Sequence, residues 1–187
     1  MSDPAFKTMS VEEYLRTEAT SPVKREYVGG FVYPLHGQAG ASDEHISICA
    51  NLNAELHRDA RKMGCKLYQS DMRLYIDSKG TYFYPDMVLI CDKEDNNRYF
   101  KTRPCLIVEV LSESTAAHDR VGKYALYTAI PSLQTYLMIE QLERRVYAYQ
   151  KSIDGLWAMR ELIGNGEIPL PCLDRNLSLN EIYDGVL

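Results

Sequence analysis

The chain has 187 residues, of which 45% are hydrophobic and 25% charged, and this is enough for one domain with a full hydrophobic core. It has no run of ~20 apolar residues that would cross a membrane, and its N-terminus lacks the apolar centre of a secretory signal. A net charge of −5 argues against a protein that coats DNA, because non-specific DNA affinity comes mainly from Lys and Arg on phosphates.

The N-terminal third is predicted to form a helix, a hairpin and a second helix. Ser10, with a Glu three residues later, has the spacing of a capping box and predicts a helix over about residues 11–18. The stretch REYVGGFVYPL predicts a β-hairpin that turns at Gly29-Gly30. A longer helix is expected from residue 42 or 43 to about residue 63, where the following glycine ends it.

The rest of the chain is predicted to consist mainly of strands. CKLYQSDMRLYID and YFYPDMVLI each predict one strand, and Pro85 interrupts pairing in the second because it has no N–H. The apolar strand CLIVEVL, a helix over about 118–130 and the strand LQTYLMIE have the order of a parallel crossover unit. A hairpin around Asp154 and a short helix over about 177–183 follow.

These elements predict an α/β fold with a central mixed β-sheet flanked by helices, additional N-terminal strands and a C-terminal hairpin. One domain is expected over residues 1–187, with its core at about 40–140. The five cysteines are odd in number, widely spaced and without a CxxC pair. We therefore expect no disulfide framework and no cysteine zinc site, and interpret the protein as reduced and cytoplasmic.

Two acidic residues interrupt apolar strands. Glu109 lies inside LIVEV, and Asp86 follows Pro85 at the start of MVLI. A buried carboxylate without a partner is costly, so we expect the two acids to lie side by side on adjacent strands and to share a cation. Mg²⁺ takes such oxygen ligands, and metal-bound water could then attack a phosphodiester. Lys123, in the following helix, is the candidate to orient that water, with Arg120 as the alternative.

These residues resemble a known family. YPDMVLI, LIVEVLSEST, DRVGKYALY and PSLQTYLMIE are similar to the bacterial putative restriction-endonuclease domain family of the PD-(D/E)XK nuclease superfamily. MSVEEYL, REYVGGFVY, EHISICANL and SDMRLYI extend the resemblance over about residues 8–184. The resemblance implies a restriction-endonuclease-like core and Mg²⁺-dependent DNA cleavage, with Mn²⁺ as a substitute ion. The superfamily motif falls on Asp86 and Glu109.

The resemblance also bears on further site residues. Many superfamily members carry a Lys two residues after the Glu, where this chain has Leu111, and the resembling family places it in the next helix, where Lys123 matches. An acid on the first core helix often adds a metal ligand, which here would be Glu44 or Glu55, and His45 beside Glu44 makes that position the more attractive. Asp71, in SDMRLYI, either faces the site or pairs with a neighbouring Arg.

Other functions stay open at the level of sequence. A nuclease fold that no longer cuts could serve as a nucleic-acid-binding or interaction module, and the acidic net charge and Leu111 favour this alternative slightly. A third interpretation is a metal-dependent phosphoesterase that acts on a small substrate. If the protein cuts both strands of duplex DNA with one site per chain, a symmetric homodimer is favoured.

Overall fold

The computed structural model describes residues 8–35, 41–111 and 122–187. Its helices are α1 (Val11–Glu18), α2 (Asp43–Lys62), α3 (Tyr124–Tyr127) and α4 (Leu179–Ile182). Its strands are β1 (Arg25–Val28), β2 (Phe31–Pro34), β3 (Lys66–Gln69), β4 (Arg73–Ile76), β5 (Thr81–Phe83), β6 (Met87–Ile90), β7 (Phe100–Lys101), β8 (Leu106–Leu111), β9 (Thr135–Glu140), β10 (Arg145–Lys151), β11 (Trp157–Ile163), β12 (Glu167–Leu170) and β13 (Arg175–Ser178).

The first two helices begin where their capping residues predict. The side-chain oxygen of Ser10 accepts a hydrogen bond from the backbone N–H of Glu13, and that of Ser42 accepts one from His45. Each bond satisfies an N–H group that the first turn of a helix leaves unpaired. Gly64 follows α2 with a φ of 71°, which only glycine adopts without strain. Both helix predictions are confirmed to within a residue.

The strands form two sheets and a separate ribbon. The six-stranded sheet has the order β11-β10-β9-β8-β6-β3, and the five-stranded sheet has the order β2-β1-β5-β4-β7. In the six-stranded sheet β8 and β9 are parallel and β6 pairs with β8 in antiparallel fashion, so the predicted central mixed sheet and parallel crossover are both confirmed. The ribbon of β12 and β13 was not predicted, and the short C-terminal helix begins only at Leu179.

Two segments that were each predicted as one strand cross between the sheets. CKLYQSDMRLYID divides into β3 of the six-stranded sheet and β4 of the five-stranded sheet, with a turn at residues 70–72. YFYPDMVLI divides into β5 and β6, and residues 84–86 make the second crossing. The interruption predicted at Pro85 is therefore larger than expected, because the chain changes sheets there. Asp86 is the last residue of that crossing.

The six-stranded sheet separates two apolar clusters. Along β8, Leu106, Val108 and Val110 pack with the buried face of α2, whereas Ile107 and Leu111 pack with Tyr127 of α3 and with the five-stranded sheet. Full burial of one such side chain contributes roughly 1.5–3 kcal/mol to folding. Both faces of β8 are covered, which explains why its sequence is a continuous apolar run rather than an alternating one. Glu109 belongs to the face that carries Ile107 and Leu111.

The expectation about the cysteines is wrong for four of the five. Disulfide bonds join Cys65 to Cys91 and Cys105 to Cys172, and Cys49 is a free thiol. Cys65 and Cys91 are cross-strand neighbours one step beyond the β3–β6 register, with Cα atoms 4.1 Å apart. Sequence spacing could not reveal this pairing, because the register of two strands decides which cysteines meet. The absence of disulfide bonds therefore no longer supports the cytoplasmic interpretation.

No helix within the described ranges is long and apolar enough to span a membrane.

Candidate active site

Asp86 and Glu109 lie at the same end of the pairing between β6 and β8. The antiparallel register pairs Met87 with Val108; Asp86 directly precedes Met87 in the crossing, and Glu109 directly follows Val108 in β8. The Oδ2 atom of Asp86 accepts a hydrogen bond of 2.7 Å from the backbone N–H of Val110, which fixes the carboxylate against β8. The two acids are therefore brought to the same end of this strand pair, with Glu109 inside β8 and Asp86 in the crossing before β6.

The Glu109 carboxylate is buried with two donors on one oxygen. Its side chain retains only 6% of its accessible surface. Its Oε1 atom accepts hydrogen bonds from the Lys123 ammonium at 3.1 Å and from the Tyr127 hydroxyl at 2.7 Å. Burial and the neighbouring carboxylate raise the pKa of Tyr127, so its hydroxyl stays protonated and keeps donating. A cation and a hydrogen bond thus offset the cost of placing this carboxylate in an apolar strand.

Lys123 lies directly before α3 and is enclosed by two carboxylates. Its Nζ atom is 3.0 Å from Oε1 of Glu26 in β1, in addition to its contact with Glu109. The Glu26 contact is an ion pair whose angles do not meet those of a hydrogen bond. The face of the Phe83 ring lies 5.3 Å from the ammonium and adds a cation–π contact. Lys123 therefore joins the two sheets at this point, because Glu26 and Glu109 belong to different sheets.

The Asp86 carboxylate has different surroundings. Its Oδ1 atom lies 3.2 Å from Nε2 of His45, in the first turn of α2, and the two groups form an ion pair when the imidazole is protonated. The interaction with Asp86, followed by that with Cys49, raises the pKa of His45 from 6.5 to about 10. Cys49 lies one helical turn after His45, and both residues are half-buried. The ligand atoms of His45, Cys49 and Asp86 all lie within 4.8 Å of one another.

Two donor sets consequently share Asp86. The first consists of the oxygen atoms of Asp86 and Glu109, and the second consists of a nitrogen, a sulfur and an oxygen from His45, Cys49 and Asp86. Among the residues that the structure describes, the second is the group of three potential metal ligands that comes together, and Glu109 does not belong to it. Oxygen donors suit Mg²⁺, whereas mixed nitrogen and sulfur donors suit softer ions.

The remaining predicted site residues lie elsewhere. The Asp71 carboxylate is exposed and forms an ion pair of 2.6 Å with Lys24, so it does not pair with the neighbouring Arg. Glu44 is half-buried in the first turn of α2 but is not part of the three-residue donor group, and Glu55 is exposed further along that helix. Arg120 lies outside the described residues.

Three residues of the site were not predicted from sequence. Tyr127 and Cys49 each follow a predicted residue by four positions on a helix, a spacing that places both side chains on one face. That signal was available in the sequence. Glu26 left no such signal, because it comes from a hairpin about a hundred residues before Lys123 and reaches it only through the packing of the two sheets.

A family model and two relatives match most of the length of this chain. The Uma2 family model, described as a putative restriction endonuclease, matches residues 11–180. The uncharacterized protein sll1609 of Synechocystis sp. is 39% identical over 166 residues, which cover 87% of this chain and 92% of that protein. A second uncharacterized Synechocystis protein, slr1290, is 33% identical over 182 residues, which cover 97% of this chain and 94% of that protein.

A solved structure shares the fold. The crystal structure of a putative nuclease belonging to DUF820, from Anabaena variabilis, superposes with a TM-score of 0.73. The match covers 96% of this chain and 99% of that one, at 15% sequence identity. At this identity the likeness concerns the fold, and it confirms the predicted α/β class with a nuclease-like architecture.

Proposed function

The chain belongs to the Uma2 family of putative restriction endonucleases, and from that premise we propose that it is a metal-dependent DNA endonuclease of the PD-(D/E)XK type. The observation that carries the proposal is that Asp86 and Glu109 lie at the same end of the β6–β8 pairing, with the Lys123 ammonium 3.1 Å from Oε1 of Glu109. Two carboxylates and one lysine are groups that metal-dependent phosphodiester hydrolysis can use.

Asp86 and Glu109 fit Mg²⁺, with Mn²⁺ as a substitute, because both offer the oxygen atoms that these ions take. When bound, the ion would supply positive charge to the phosphate and lower the pKa of a coordinated water molecule. His45 and the Val110 N–H hold the Asp86 carboxylate from two sides, and Tyr127 holds Oε1 of Glu109. These contacts keep both carboxylates in fixed orientations.

Lys123 has two tasks in this proposal. Its ammonium orients the Glu109 carboxylate, and it brings positive charge to the place where the scissile phosphate and the attacking water would lie. Enclosure by Glu26 and Glu109 fixes the side chain, so little reorganisation is needed when a substrate arrives. The lysine that many related nucleases carry two residues after the glutamate is replaced here by the buried Leu111. The position of Lys123 beside Glu109 supports the relocated lysine that the resemblance implies.

Plasmid nicking tests this function. Wild type, Asp86→Asn, Glu109→Gln and Lys123→Ala are incubated with supercoiled plasmid and Mg²⁺ or Mn²⁺, with EDTA as the metal-free control. We expect each variant to lose about a hundredfold or more of the cleavage rate, because changes outside the ligand shell already cost up to that much. Glu94→Gln, an exposed acid, is the matched control and should cut like wild type. Nicking by wild type no faster than by Asp86→Asn and Glu109→Gln would refute the proposal.

One observation favours a second function, a nucleic-acid-binding or interaction module that does not cut. Lys123 and Tyr127 already compensate Glu109, so its burial does not require a metal ion. Isothermal titration with Mg²⁺ and Mn²⁺ separates the two functions. If wild type binds the metal and Asp86→Asn and Glu109→Gln do not, the result supports the nuclease. If wild type binds DNA but shows no heat of metal binding, the result supports the module.

The biological setting of the nuclease is part of the proposal. We propose DNA as its substrate and the cytoplasm as its location. We also propose that the chain is a single nuclease-like domain with its core at about residues 40–140. A symmetric homodimer would present two sites to the two strands of a duplex. Light scattering of the protein with and without a short DNA duplex tests the dimer, and a monomer in both states would oppose double-strand cleavage by a preformed pair.

A further inference from the structure

A second metal centre is suggested by the side of Asp86 that faces α2. His45 and Cys49 are separated by four positions in the first two turns of that helix, so their side chains lie on one face. Asp86 arrives from the crossing between the two sheets and places its carboxylate beside them. The three ligand atoms lie within 4.8 Å of one another. The three groups therefore come from two elements that the fold brings together independently of Glu109 and Lys123.

The chemistry of the three donors selects the ion. Imidazole nitrogen, thiolate sulfur and carboxylate oxygen are all ligands of Zn²⁺, whereas Mg²⁺ takes oxygen almost exclusively. Ligands of a tetrahedral zinc ion at the usual bond lengths lie roughly 3.5 Å from one another. Atoms that already lie within 4.8 Å need only modest side-chain rotation to reach that spacing. Three protein ligands also leave the fourth position open, as in zinc sites that bind water or substrate.

Cys49 is available for such a role. The other four cysteines are joined in disulfide bonds, and Cys49 remains a free, half-buried thiol. Its side chain packs against the apolar cluster under α2, which on its own would account for a small hydrophobic residue at this position. The 3.2 Å contact between His45 and Asp86 would likewise account for those two residues as an ordinary ion pair. The test must therefore distinguish ligation from packing.

We propose that His45, Cys49 and Asp86 bind a transition-metal ion of the Zn²⁺ class. This binding does not depend on nuclease activity. Because Asp86 also belongs to the proposed Mg²⁺ pair, a further consequence rests on the proposed function: Zn²⁺ bound here engages Asp86 and should inhibit Mg²⁺-dependent cleavage. The protein would then respond to the balance between the two ions.

Cobalt substitution gives a direct readout of ligation. Metal-free protein is titrated with Co²⁺, whose bond to a thiolate produces a charge-transfer absorption band in the near ultraviolet. We expect the band in wild type and its loss in Cys49→Ala, which removes the thiolate ligand and keeps a small apolar side chain. His57→Ala, an exposed position further along α2, is the control and should keep the band. Absence of the band in wild type, or its persistence in Cys49→Ala, overturns the proposal.

Affinity measurements complete the test. Competition of Zn²⁺ with a chromophoric chelator should show binding weakened by more than about tenfold in His45→Ala, Cys49→Ser and Asp86→Asn, since even residues outside the ligand shell contribute that much. His57→Ala, an exposed histidine on the same helix, should bind Zn²⁺ like wild type. Circular dichroism of the metal-free variants identifies any that fail to fold, and Cys49→Ser and Cys49→Ala give two independent changes at the thiol. Equal Zn²⁺ affinity of wild type and both Cys49 variants would exclude this site.

Plasmid nicking tests whether Zn²⁺ at this site inhibits cleavage, independently of the cobalt titration. If the protein nicks plasmid with Mg²⁺, Zn²⁺ should slow cleavage by wild type but slow Cys49→Ala much less. If the protein does not nick plasmid at all, the nuclease proposal fails while the cobalt band still decides the metal site. Equal inhibition of wild type and Cys49→Ala by Zn²⁺ would contradict the link between the two centres.

Discussion

Asp86 and Glu109 lie at the same end of one strand pair, yet their surroundings differ. Glu109 is enclosed by an ammonium, a tyrosine hydroxyl and apolar side chains from both sheets. Asp86 is more accessible and is held by a backbone N–H and an imidazole, with a thiol nearby. The chain itself therefore compensates the buried acid, whereas the acid at the sheet crossing is the one arranged to meet a ligand. Four substitutions test this difference.

The largest expected effect is on the Glu109 side. Lys123→Met removes the ammonium between Glu26 and Glu109 and leaves buried carboxylates without that cation. Loss of one partner of a buried ion pair typically costs about 3–5 kcal/mol, so we expect the free energy of unfolding to fall by about that amount. Urea denaturation measures it, with Lys93→Met, outside the site, as the control. A loss below about 1 kcal/mol, the range of surface ion pairs, would mean that Lys123 does not stabilise the buried acids.

Tyr127→Phe isolates the hydrogen bond to Glu109. The substitution keeps the ring and its packing against Phe83 and Tyr136 but removes the hydroxyl donor. Hydrogen bonds to charged groups are worth about 1.5–3 kcal/mol, and we expect a loss of unfolding free energy in that range. The exposed Tyr99→Phe should change stability by less than about 0.5 kcal/mol. Similar losses in the two variants would show that the Glu109 carboxylate does not need the hydroxyl.

Glu26→Gln should have a smaller effect. The Glu26 contact with Lys123 lacks the angles of a hydrogen bond, and Lys123 keeps its contact with Glu109. We expect a change of about 1 kcal/mol or less in unfolding free energy. A double-mutant cycle with Tyr127→Phe, measured by urea denaturation, reports whether the two residues act on the same ammonium–carboxylate pair. If Glu26→Gln lowers the free energy of unfolding more than Tyr127→Phe does, the Glu26 contact is the stronger of the two, contrary to this prediction.

The effect on the Asp86 side depends on pH and is expected to be smallest at high pH. In the folded, metal-free protein the hydrogen bond to Asp86 raises the pKa of His45 from 6.5 to about 10. The stabilisation is therefore fully present below pH 6.5 and is lost as pH rises toward about 10. Unfolding measured in EDTA across this range should show wild type losing stability relative to His45→Gln as the pH increases. A difference between the two proteins that stays constant with pH would contradict the imidazole–carboxylate contact.

Local signals in the sequence determined much of this fold. The capping residues Ser10 and Ser42 set the starts of two helices, because they satisfy N–H groups within a few residues of themselves. Two glycines with positive φ, Gly29 and Gly30, set the hairpin. The apolar run around Glu109 predicted a strand covered on both faces, and its acid marked the position as unusual. Such features depend on neighbouring residues, so they can be read without the tertiary structure.

The acids in two apolar strands and the lysine in the following segment predicted Asp86, Glu109 and Lys123 as one site, and the family resemblance implied the same three residues. Sequence could also have supplied Tyr127 and Cys49, since each follows a predicted residue by one helical turn. It could not supply their partners. The rotation of the helices against the sheet decides these partners. It determines which oxygen of Glu109 accepts both hydrogen bonds and which acid contacts the imidazole of His45.

Only the tertiary structure decided how distant segments meet. It divided two predicted strands between sheets, brought Glu26 to Lys123, and paired Cys65 with Cys91. It also gave Asp86 and Glu109 different neighbours, although both are acids that interrupt apolar segments of the sequence. The physical reason is that strand register and sheet packing minimise the apolar surface exposed by the whole chain. No short window of sequence contains all the residues that contribute to that surface.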